Sequence, residues 1–220
     1  KLVATNAIHF KSPWAQPFDT AATQALPFQV PGGSKPVPTM VDERPVRHGT
    51  VDNLSVFELP FANKAYAMMI AMPPGKHTMD GLEQDLAGLD MAAWSSQLKE
   101  SVCQLQLPKF HLDASAISLK AMLQGMGVQQ AFTDRAELQP LLGAAAAGVG
   151  LEDVFHRATV TIDEAGGEAA AATAATAQAK SFSMPAPTCA VDRPFVFAIV
   201  HKPTGTPLFI GKVVDPSAKE

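Results

Sequence analysis

The sequence predicts an α+β fold with largely antiparallel sheets, and three patterns point to it. Two apolar runs, residues 56–61 and 65–72, are separated by a short polar turn, which is the layout of a β-hairpin. A second pair of apolar runs, residues 195–200 and 208–213, closes the chain around a turn that contains Pro and Gly. From Val154 to Ile162 the side chains alternate with a period of two, which is typical of a strand. Because hairpins join antiparallel neighbours, these strands favour antiparallel sheets with helices interspersed.

The first part of the chain is less regular. Residues 1–10 begin abruptly in an apolar run, with no initiator Met and no signal-peptide layout, and predict a buried strand. Pro and Gly residues recur through residues 11–46, which indicates a connecting segment without regular secondary structure. We therefore expect the amino-terminal part of the fold to be missing from this chain.

Helices are expected in the middle of the chain. Residues 79–98 predict a broken helical stretch. Residues 102–107 predict a strand, which the following proline interrupts. A second helix, capped by Asp113 or Ser115, is expected to run to Met126 and to end at the next glycine.

Composition excludes several classes of protein. Of the 220 residues, 47% are apolar and 17% are charged, so a sizeable core is available and global disorder is excluded. The net charge of −4 offers no electrostatic footprint for nucleic acid or for an acidic membrane surface. We predict no cofactor, no metal and no enzyme activity, because the sequence has no phosphate-binding loop, no Gly-x-Ser-x-Gly motif and no clustered metal ligands. Cys103 and Cys189 are too few for a disulfide framework, and their pairing stays open.

An Ala-rich segment, residues 164–182, is too long to be an ordinary connection between the strand ending near Ile162 and the closing hairpin. One interpretation is a low-complexity linker, since such tracts are often disordered or transiently helical. The other is a spare strand, because every odd position from Gly167 to Ala179 is small and the long polar side chains fall on even positions. A strand with one small face could enter a sheet beneath a packed layer, and Gly166-Gly167 would be its hinge.

Residues 164–173, with the sequence EAGGEAAAAT, resemble the hinge of the reactive loop in the serpins, a family of serine protease inhibitors. Further serpin-like motifs follow in the family's order, and the match extends from Leu2 to Pro216. These motifs are Asn6-Ala7-Ile8-His9-Phe10-Lys11 with Trp14 and Pro17-Phe18-Asp19, Glu58-Leu59-Pro60-Phe61, Leu107-Pro108-Lys109-Phe110, Pro194-Phe195-Val196-Phe197, and Pro207-Leu208-Phe209-Ile210-Gly211-Lys212-Val213.

The resemblance implies the serpin fold: mostly antiparallel β-sheets, interspersed helices, and an exposed loop that can insert into the main sheet. Residues 1–220 would be the carboxy-terminal part of a single serpin domain. Its hinge and reactive loop would span about 164–191, and its closing hairpin about 194–214.

The same resemblance implies suicide-substrate inhibition of a serine protease. The protease cuts the loop and forms an acyl-enzyme, and it is trapped in a one-to-one covalent complex when the loop inserts as a new strand. Gly167 departs from the Thr or Ser usual in the family, but it is small and we expect inhibition to be retained. The implied hinge residues are Glu164, Gly166, Gly167, Glu168, Ala169, Ala170, Ala171, Ala172 and Thr173.

The family's spacing, counted from the hinge glutamate, places the reactive bond between Lys180 and Ser181, which would suit a trypsin-like protease. Counting backward from the closing hairpin points instead to a residue near Ser183. Cleavage at the neighbouring Phe182 or Met184 would indicate a chymotrypsin-like or subtilisin-like target. The forward count is preferred, because loop insertion restricts length on the hinge side.

Four residues outside the loop receive roles from the resemblance. Lys109 would pair with Glu164 where the loop enters the sheet, and Trp14 would pack nearby. Asn6 and His156 match positions where serpin strands part, within a buried polar network. The alternatives are two unrelated surface charges and an ordinary core histidine.

Three functions stay open at this point. The resemblance favours a secreted, monomeric inhibitor whose partner is a serine protease, with no nucleic acid or membrane partner. A non-inhibitory serpin (a chaperone, carrier or storage protein) typically has bulky or charged hinge residues, which this hinge lacks. A truncated, non-functional remnant is the other alternative, and we expect the 220-residue chain not to inhibit a protease by itself.

Overall fold

The computed structural model describes residues 2–75, 91–143, 148–167 and 185–218. The chain divides into two compact units. The first contains the described residues of 2–10 and 112–160, and the second contains those of 11–111 and 161–218. Strands dominate and the helices are short, which confirms the predicted α+β class.

Twelve strands and three α-helices lie within the described ranges. The strands are β1 (Leu2–Phe10), β2 (Gln24–Val30), β3 (Gly33–Val51), β4 (Leu54–Pro60), β5 (Tyr66–Met72), β6 (Lys99–Pro108), β7 (Phe110–Asp113), β8 (Ile117–Ser118), β9 (Leu151–Ile162), β10 (Thr188–Ala190), β11 (Phe195–His201) and β12 (Thr206–Val213). The helices are α1 (Met91–Gln97), α2 (Lys120–Gly125) and α3 (Gln139–Leu142), and short 3-10 turns lie at Thr20–Ala22 and Gln130–Phe132. Of the helices that are described, none has the length and apolar character needed to cross a membrane.

Strands β1 and β9 run parallel in the first unit, in a register that places Asn6 beside His156. The predicted strand over residues 1–10 is confirmed, but its predicted burial is wrong, since Val3 is 46% and Ile8 is 38% exposed. The burial of a strand depends on the layer that packs over its faces, and the strand's own residues do not specify that layer.

The sheet of the second unit has the strand order β10-β6-β3-β4-β5-β11-β12, with β2 paired to β3. Strands β4 and β5, and strands β11 and β12, form the two predicted hairpins. Strands β5 and β11 pair with each other, and nearly every residue of both is buried. Because both faces of these strands are covered, they appear in the sequence as continuous apolar runs rather than as alternating ones.

The prediction that residues 11–46 are irregular is wrong over β2 and β3. Strand β3 is 19 residues long and pairs with β2, β4 and β6. Its Pro36 and Pro38 are exposed and alternate with the buried Val37 and Thr39. Prolines on the solvent side of a strand leave its buried face intact. The alternation of side chains with a period of two therefore indicates a strand here more reliably than the number of prolines argues against one.

Helix α1 packs its buried Met91 and Trp94 on the sheet of the second unit, in a cluster that includes Val56. The stretch predicted as helical over residues 79–98 is thus helical from Met91 to Gln97. Residues 76–90 lie outside the described part of the chain.

The helix predicted from Asp113 or Ser115 onward begins too early, because strands β7 and β8 come first and α2 starts at Lys120. Asp113 caps no helix, since its carboxylate accepts hydrogen bonds of 3.0 and 2.6 Å from the guanidinium of Arg157. Local capping patterns cannot reveal such a distant partner. Gly127, with φ of +97°, follows α2 as the sequence predicts for a helix end.

A buried carboxylate joins β4 to α1 in the second unit. Glu58 is 2% exposed, and its two carboxylate oxygens lie 2.9 and 3.0 Å from Arg47 Nη1, which donates to both. Glu58 also accepts a hydrogen bond from the Ser95 hydroxyl at 2.5 Å and pairs with Lys202 Nζ at 2.6 Å. Burial by itself raises the pKa of Glu58. Hydrogen bonds from Lys202 and Ser95, together with the charges of Lys202 and Arg47, outweigh burial and hold that pKa below its usual value.

We expect Glu58→Gln to lower the free energy of unfolding of the full-length protein by about 2 kcal/mol at neutral pH, because a charge-assisted network loses its charge. Since the folded-state pKa of Glu58 is depressed, its contribution is present above the pKa of the unfolded chain and is lost as pH falls through the folded-state pKa. Urea unfolding at a series of pH values should therefore show wild type and variant converging in acid.

The matched control for Glu58→Gln is Lys35→Gln, which removes a half-exposed ion pair with Asp215. That change should cost less than about 1 kcal/mol. Equal losses in the two variants would contradict a special role for the buried network.

Candidate functional site

The turn that follows β9, residues 163–167, is called the hinge turn below. Asp163 Oδ1 accepts hydrogen bonds from the backbone N–H of Ala165 at 2.9 Å and of Gly166 at 3.1 Å. Asp163 and Gly166 also exchange backbone hydrogen bonds of 3.0 and 3.2 Å. An Asp side chain that bonds the backbone two residues on is a common turn former, and here it reverses the chain directly after the strand.

Gly166 is required by the geometry of the hinge turn. Its φ is +125°, and a Cβ would lie 2.5 Å from the carbonyl oxygen of Ser12 and 2.6 Å from the backbone nitrogen of Trp14. Both residues belong to residues 12–18, called the anchor segment below. The positive φ and the close approach both exclude a side chain. Gly167 donates its N–H to the carbonyl of Ser12 at 2.8 Å.

The anchor segment holds the hinge turn through three further donors. Trp14 donates its backbone N–H to the carbonyl of Ala165 and its indole Nε1–H to the carbonyl of Asp163, both at 2.9 Å. Phe18 donates its backbone N–H to the carbonyl of Glu164 at 2.8 Å. Because the carbonyls of three consecutive residues are engaged, the hinge turn has one defined position on the anchor segment.

Aromatic packing fixes the anchor segment on the core of the second unit. Trp14 is 3% exposed and stacks on Phe61, with ring centroids 4.7 Å apart and planes 4° from parallel. The Phe18 ring meets the Trp14 indole edge-on, with ring centroids 6.4 Å apart. The Arg44 guanidinium lies 3.9 Å from the centroid of the Phe18 ring. Arg44 also donates to the carbonyl of Gln16 at 2.6 Å. Trp14 thus lies against the hinge turn, and its role in entry of the loop stays a prediction.

Glu164 is the charged group of the site and is 8% exposed. Lys109 Nζ lies 2.8 Å from its Oε2 and 3.1 Å from its Oε1, and Thr23 Oγ1 donates to Oε1 at 2.6 Å. Burial raises the pKa of Glu164, but the hydrogen bonds from Lys109 and Thr23 and the charge of Lys109 outweigh it and lower that pKa. The structure therefore brings Lys109 and Glu164 together; their role in loop insertion stays a prediction.

Asn6 and His156 face each other across β1 and β9 in the first unit. His156 Nδ1 lies 3.0 Å from Asn6 Oδ1, within hydrogen-bond distance. The expectation of a buried network is wrong for the described chain, because Asn6 is exposed and His156 is half-buried. Their pairing follows from the strand register, whereas their burial would need a covering layer that the register does not supply.

The reactive bond lies outside the described residues. Of the predicted hinge, only Glu164, Gly166 and Gly167 are described. The predicted residues that the structure does not describe are Glu168, Ala169, Ala170, Ala171, Ala172, Thr173, Lys180, Ser181 and the alternatives Phe182, Ser183 and Met184.

Sequence reasoning missed four residues that form the site. Asp163 precedes a glycine by three positions, a turn signature that could have revealed it. Ser12 contributes only its backbone, and Thr23 and Arg44 act on residues far away in the chain. No local pattern marks such partners.

The two cysteines, whose pairing the sequence left open, form a disulfide between β6 and β10. The Cα atoms of Cys103 and Cys189 are 5.8 Å apart, and 86 positions separate the residues in the sequence. A nitrogen of His48 lies within 4.8 Å of both sulfur atoms. Because the sulfurs are bonded to each other, they do not offer the thiolates that a metal ion would need.

Comparison with known proteins places these features in one family. A family model described as Serpin (serine protease inhibitor) matches residues 1–216. Antithrombin-III of Mus musculus is 30% identical over 218 residues, which are 98% of this chain and 47% of that protein. Leukocyte elastase inhibitor of Sus scrofa is 35% identical over 225 residues, which are 98% of this chain and 58% of that protein.

Solved structures share the fold. The crystal structure of human thyroxine-binding globulin matches with a TM-score of 0.81 at 28% identity, over 98% of this chain and 56% of that one. The chain thus spans about half the length of the relatives it matches. With a family model that covers nearly every residue, and with the resembling motifs in the family's order, this chain belongs to the serpin family.

Proposed function

We propose that the full-length protein carrying this chain is an inhibitory serpin, which traps a serine protease by a suicide-substrate mechanism. The observation that supports this most is the hinge turn, which is docked on the anchor segment by backbone hydrogen bonds and leads into a run of small residues. Relatives named antithrombin-III and leukocyte elastase inhibitor support the inhibitory function.

The proposed reaction begins as ordinary proteolysis. The protease serine attacks the carbonyl of Lys180, the bond to Ser181 breaks, and Ser181 becomes a new amino terminus. The hinge side of the loop then carries the protease as an acyl ester. Because the hinge turn reverses the chain after β9, the freed segment would run antiparallel to β9.

Insertion would separate β1 from β9, which pair in parallel in the first unit. The contact between Asn6 and His156 crosses this pairing and would have to break. The bond from Gly167 to Ser12, just beyond the end of β1, would become the first of a new ladder of hydrogen bonds. The hinge turn itself would need little change.

The energy of such an insertion is adequate for trapping. A new strand would add on the order of a dozen backbone hydrogen bonds, each worth about 0.5–1.5 kcal/mol. Their sum, roughly 6–18 kcal/mol, compares with about 5–15 kcal/mol for the whole stability of a typical domain. Insertion could therefore distort the attached protease before water completes hydrolysis.

A trypsin-like protease is the proposed target, because Lys180 would occupy the primary specificity pocket. The Cys103–Cys189 disulfide supports an oxidising compartment, and with it secretion.

The competing function is that of a carrier, since the similar thyroxine-binding globulin is complexed with thyroxine. Formation or absence of a covalent complex separates these two functions.

The first prediction is that the full-length protein forms a covalent complex with trypsin that survives a denaturing gel. Mass spectrometry should detect the peptide that begins at Ser181. Lys180→Ala should abolish the trypsin complex, because the specificity pocket of trypsin would no longer receive a cationic side chain. A complex with chymotrypsin or subtilisin instead would move the reactive bond to residues 182–184, whereas clean cleavage by all three proteases would contradict inhibition.

A second prediction tests the period of two in the hinge. Ala171→Arg places a long charge on the face of small residues and should turn the inhibitor into a substrate, because insertion stalls and hydrolysis completes. Ala172→Arg carries the same charge one position later, on the face expected to stay in solvent. This control should keep most of the complex formation. If both variants inhibit equally well, the segment does not insert with this register.

A third prediction concerns the ion pair beside the hinge turn. Lys109→Gln should speed hydrogen exchange of the Gly167 and Phe18 amides about fivefold at neutral pH, because Glu164 loses its counter-charge and about 1 kcal/mol of local stability. The folded-state pKa of Glu164 is depressed, so this stabilisation is present above the unfolded pKa and is lost as pH falls through the folded-state pKa.

The difference between Lys109→Gln and wild type should therefore vanish in acid. Lys35→Gln again serves as the control, since its partner Asp215 lies outside the hinge turn. Unchanged exchange at Gly167 in the Lys109 variant would show that backbone bonds alone hold the turn.

A further inference from the structure

Three potential metal ligands meet on neighbouring strands of the second unit. His48 lies on β3, Cys103 on β6 and Cys189 on β10, and these three strands are consecutive in the sheet. One ring nitrogen of His48 and the two sulfur atoms all lie within 4.8 Å of one another. Because the three residues are far apart in the sequence, no spacing motif indicates the cluster.

The backbone holds the two cysteines close enough for a metal ion. Their Cα atoms are 5.8 Å apart, and backbone hydrogen bonds on both sides of Cys189 join its strand to β6. Around a tetrahedral zinc ion with Zn–S bonds of about 2.3 Å, the two sulfurs would be about 3.8 Å apart. Rotation of each side chain about χ1 can give that separation once the sulfurs are no longer bonded to each other.

The ring of His48 is oriented by two contacts within the sheet. Its Nε2 lies 2.7 Å from the hydroxyl oxygen of Ser101, and the ring stacks on Phe57 with centroids 6.1 Å apart and planes 20° from parallel. In metal sites, the ring nitrogen that does not bind the ion usually forms a hydrogen bond of this kind, which fixes the ring and its tautomer. The sheet itself therefore places the imidazole beside the sulfurs.

The charge balance of the cluster suits a buried divalent ion. Cys103 is 0% and Cys189 is 5% exposed, whereas His48 is half-buried and reaches solvent at its edge. Two thiolates and a neutral imidazole bring the net charge of a bound Zn²⁺ to zero, so the buried site holds no uncompensated charge. Arg44 lies opposite Cys103 in the pairing of β3 with β6, but its charge is balanced by Asp42, whose carboxylate is 2.7 Å from Arg44 Nε.

We propose that His48, Cys103 and Cys189 bind one Zn²⁺ ion when the two cysteines are reduced. Three protein ligands leave the fourth tetrahedral position to a water molecule on the solvent side of His48. Thiolate and imidazole ligands favour zinc over the harder magnesium and calcium ions. The same residues thus provide a disulfide in an oxidising compartment and a zinc site where thiols stay reduced.

Conversion of the disulfide to the zinc site takes two steps. A phosphine reductant gives two electrons to the Cys103–Cys189 bond and takes an oxygen atom from water, so that a phosphine oxide and two thiols result. Binding of Zn²⁺ then releases both thiol protons to solvent, while the imidazole of His48 binds in its neutral form. A phosphine is chosen because dithiol reductants themselves bind zinc. Both cysteines are buried, so reduction should need prolonged incubation.

The first test titrates the full-length protein with Zn²⁺ in competition with a chromophoric chelator. Reduced wild type should bind one equivalent more than oxidised wild type, because oxidation removes both thiolates and leaves every residue of the chain in place. Co²⁺ in place of zinc should give the reduced protein alone the absorption bands of tetrahedral thiolate coordination. Equal binding of either ion by reduced and oxidised protein would overturn the proposal.

Variants of the reduced protein test the third ligand. His48→Gln should weaken zinc binding by more than about a hundredfold, and Ser101→Ala by about 10–100-fold, the range for loss of an outer hydrogen-bond partner. The matched control is His201→Gln, because His201 is also half-buried in this sheet, 2.8 Å from the Thr204 hydroxyl and beside the ring of Tyr66. Unchanged affinity in the His48 variant, or a comparable loss in the control, would overturn the proposal.

Stability provides an independent readout of the site. An ion that binds only the folded chain stabilises it by mass action, so zinc should raise the urea midpoint of reduced wild type. The midpoints of oxidised wild type and of the double variant Cys103→Ala/Cys189→Ala should stay unchanged. An equal rise in the double variant would locate the bound zinc elsewhere and overturn the proposal. None of these measurements involves a protease, so their outcome is independent of the proposed inhibitory function.

Discussion

The close approach of the Gly166 backbone to residues 12–14 is the constraint on which the candidate site depends. A Cβ at Gly166 would lie 2.5 Å from a carbonyl oxygen, so any other residue would push the hinge turn away from the anchor segment. The bonds from Trp14 and Phe18 reach the turn only at this distance, and Glu164 is buried against Lys109 and Thr23 only while the turn stays docked. The ion pair of Glu164 with Lys109 therefore depends on the backbone contact between the hinge turn and the anchor segment.

The two attachments of the Ala-rich segment differ in the physics that holds them. The hinge turn is held by directional hydrogen bonds and by Trp14, which stacks on Phe61. Such an attachment defines a direction for the chain that leaves it. Strand β10 is short, and the disulfide between Cys103 and Cys189 holds it to β6. This covalent bond limits how far β10 can move from β6.

The sequence predicted those elements whose signal is local. Both hairpins and β9 were evident because apolar runs or a period of two identify strands without knowledge of their partners. Strand β3 was missed because Pro36 and Pro38 suggested irregular chain, although they only occupy its exposed face. The local pattern at Asp113 predicts a helix cap, but the carboxylate binds Arg157, which is distant in the sequence. In the candidate site, the resemblance implied that Lys109 and Glu164 meet, but no pattern indicated Thr23 or Arg44.

The described end of the Ala-rich segment, residues 164–167, belongs to the hinge turn, and the rest of the segment lies outside the described residues. A linker needs only exposed, weakly held ends, because it connects elements without directing them. Here the end at Gly167 continues from a turn that requires glycine at the preceding position and that engages the carbonyls of Asp163, Glu164 and Ala165. The hydrogen bond from Gly167 to Ser12 already has the form of a strand pairing beyond β1. The hydrogen bonds at residues 163–167 thus define the direction in which the chain leaves the hinge turn, and the continuation as a strand stays a prediction from the alternation of small and polar residues.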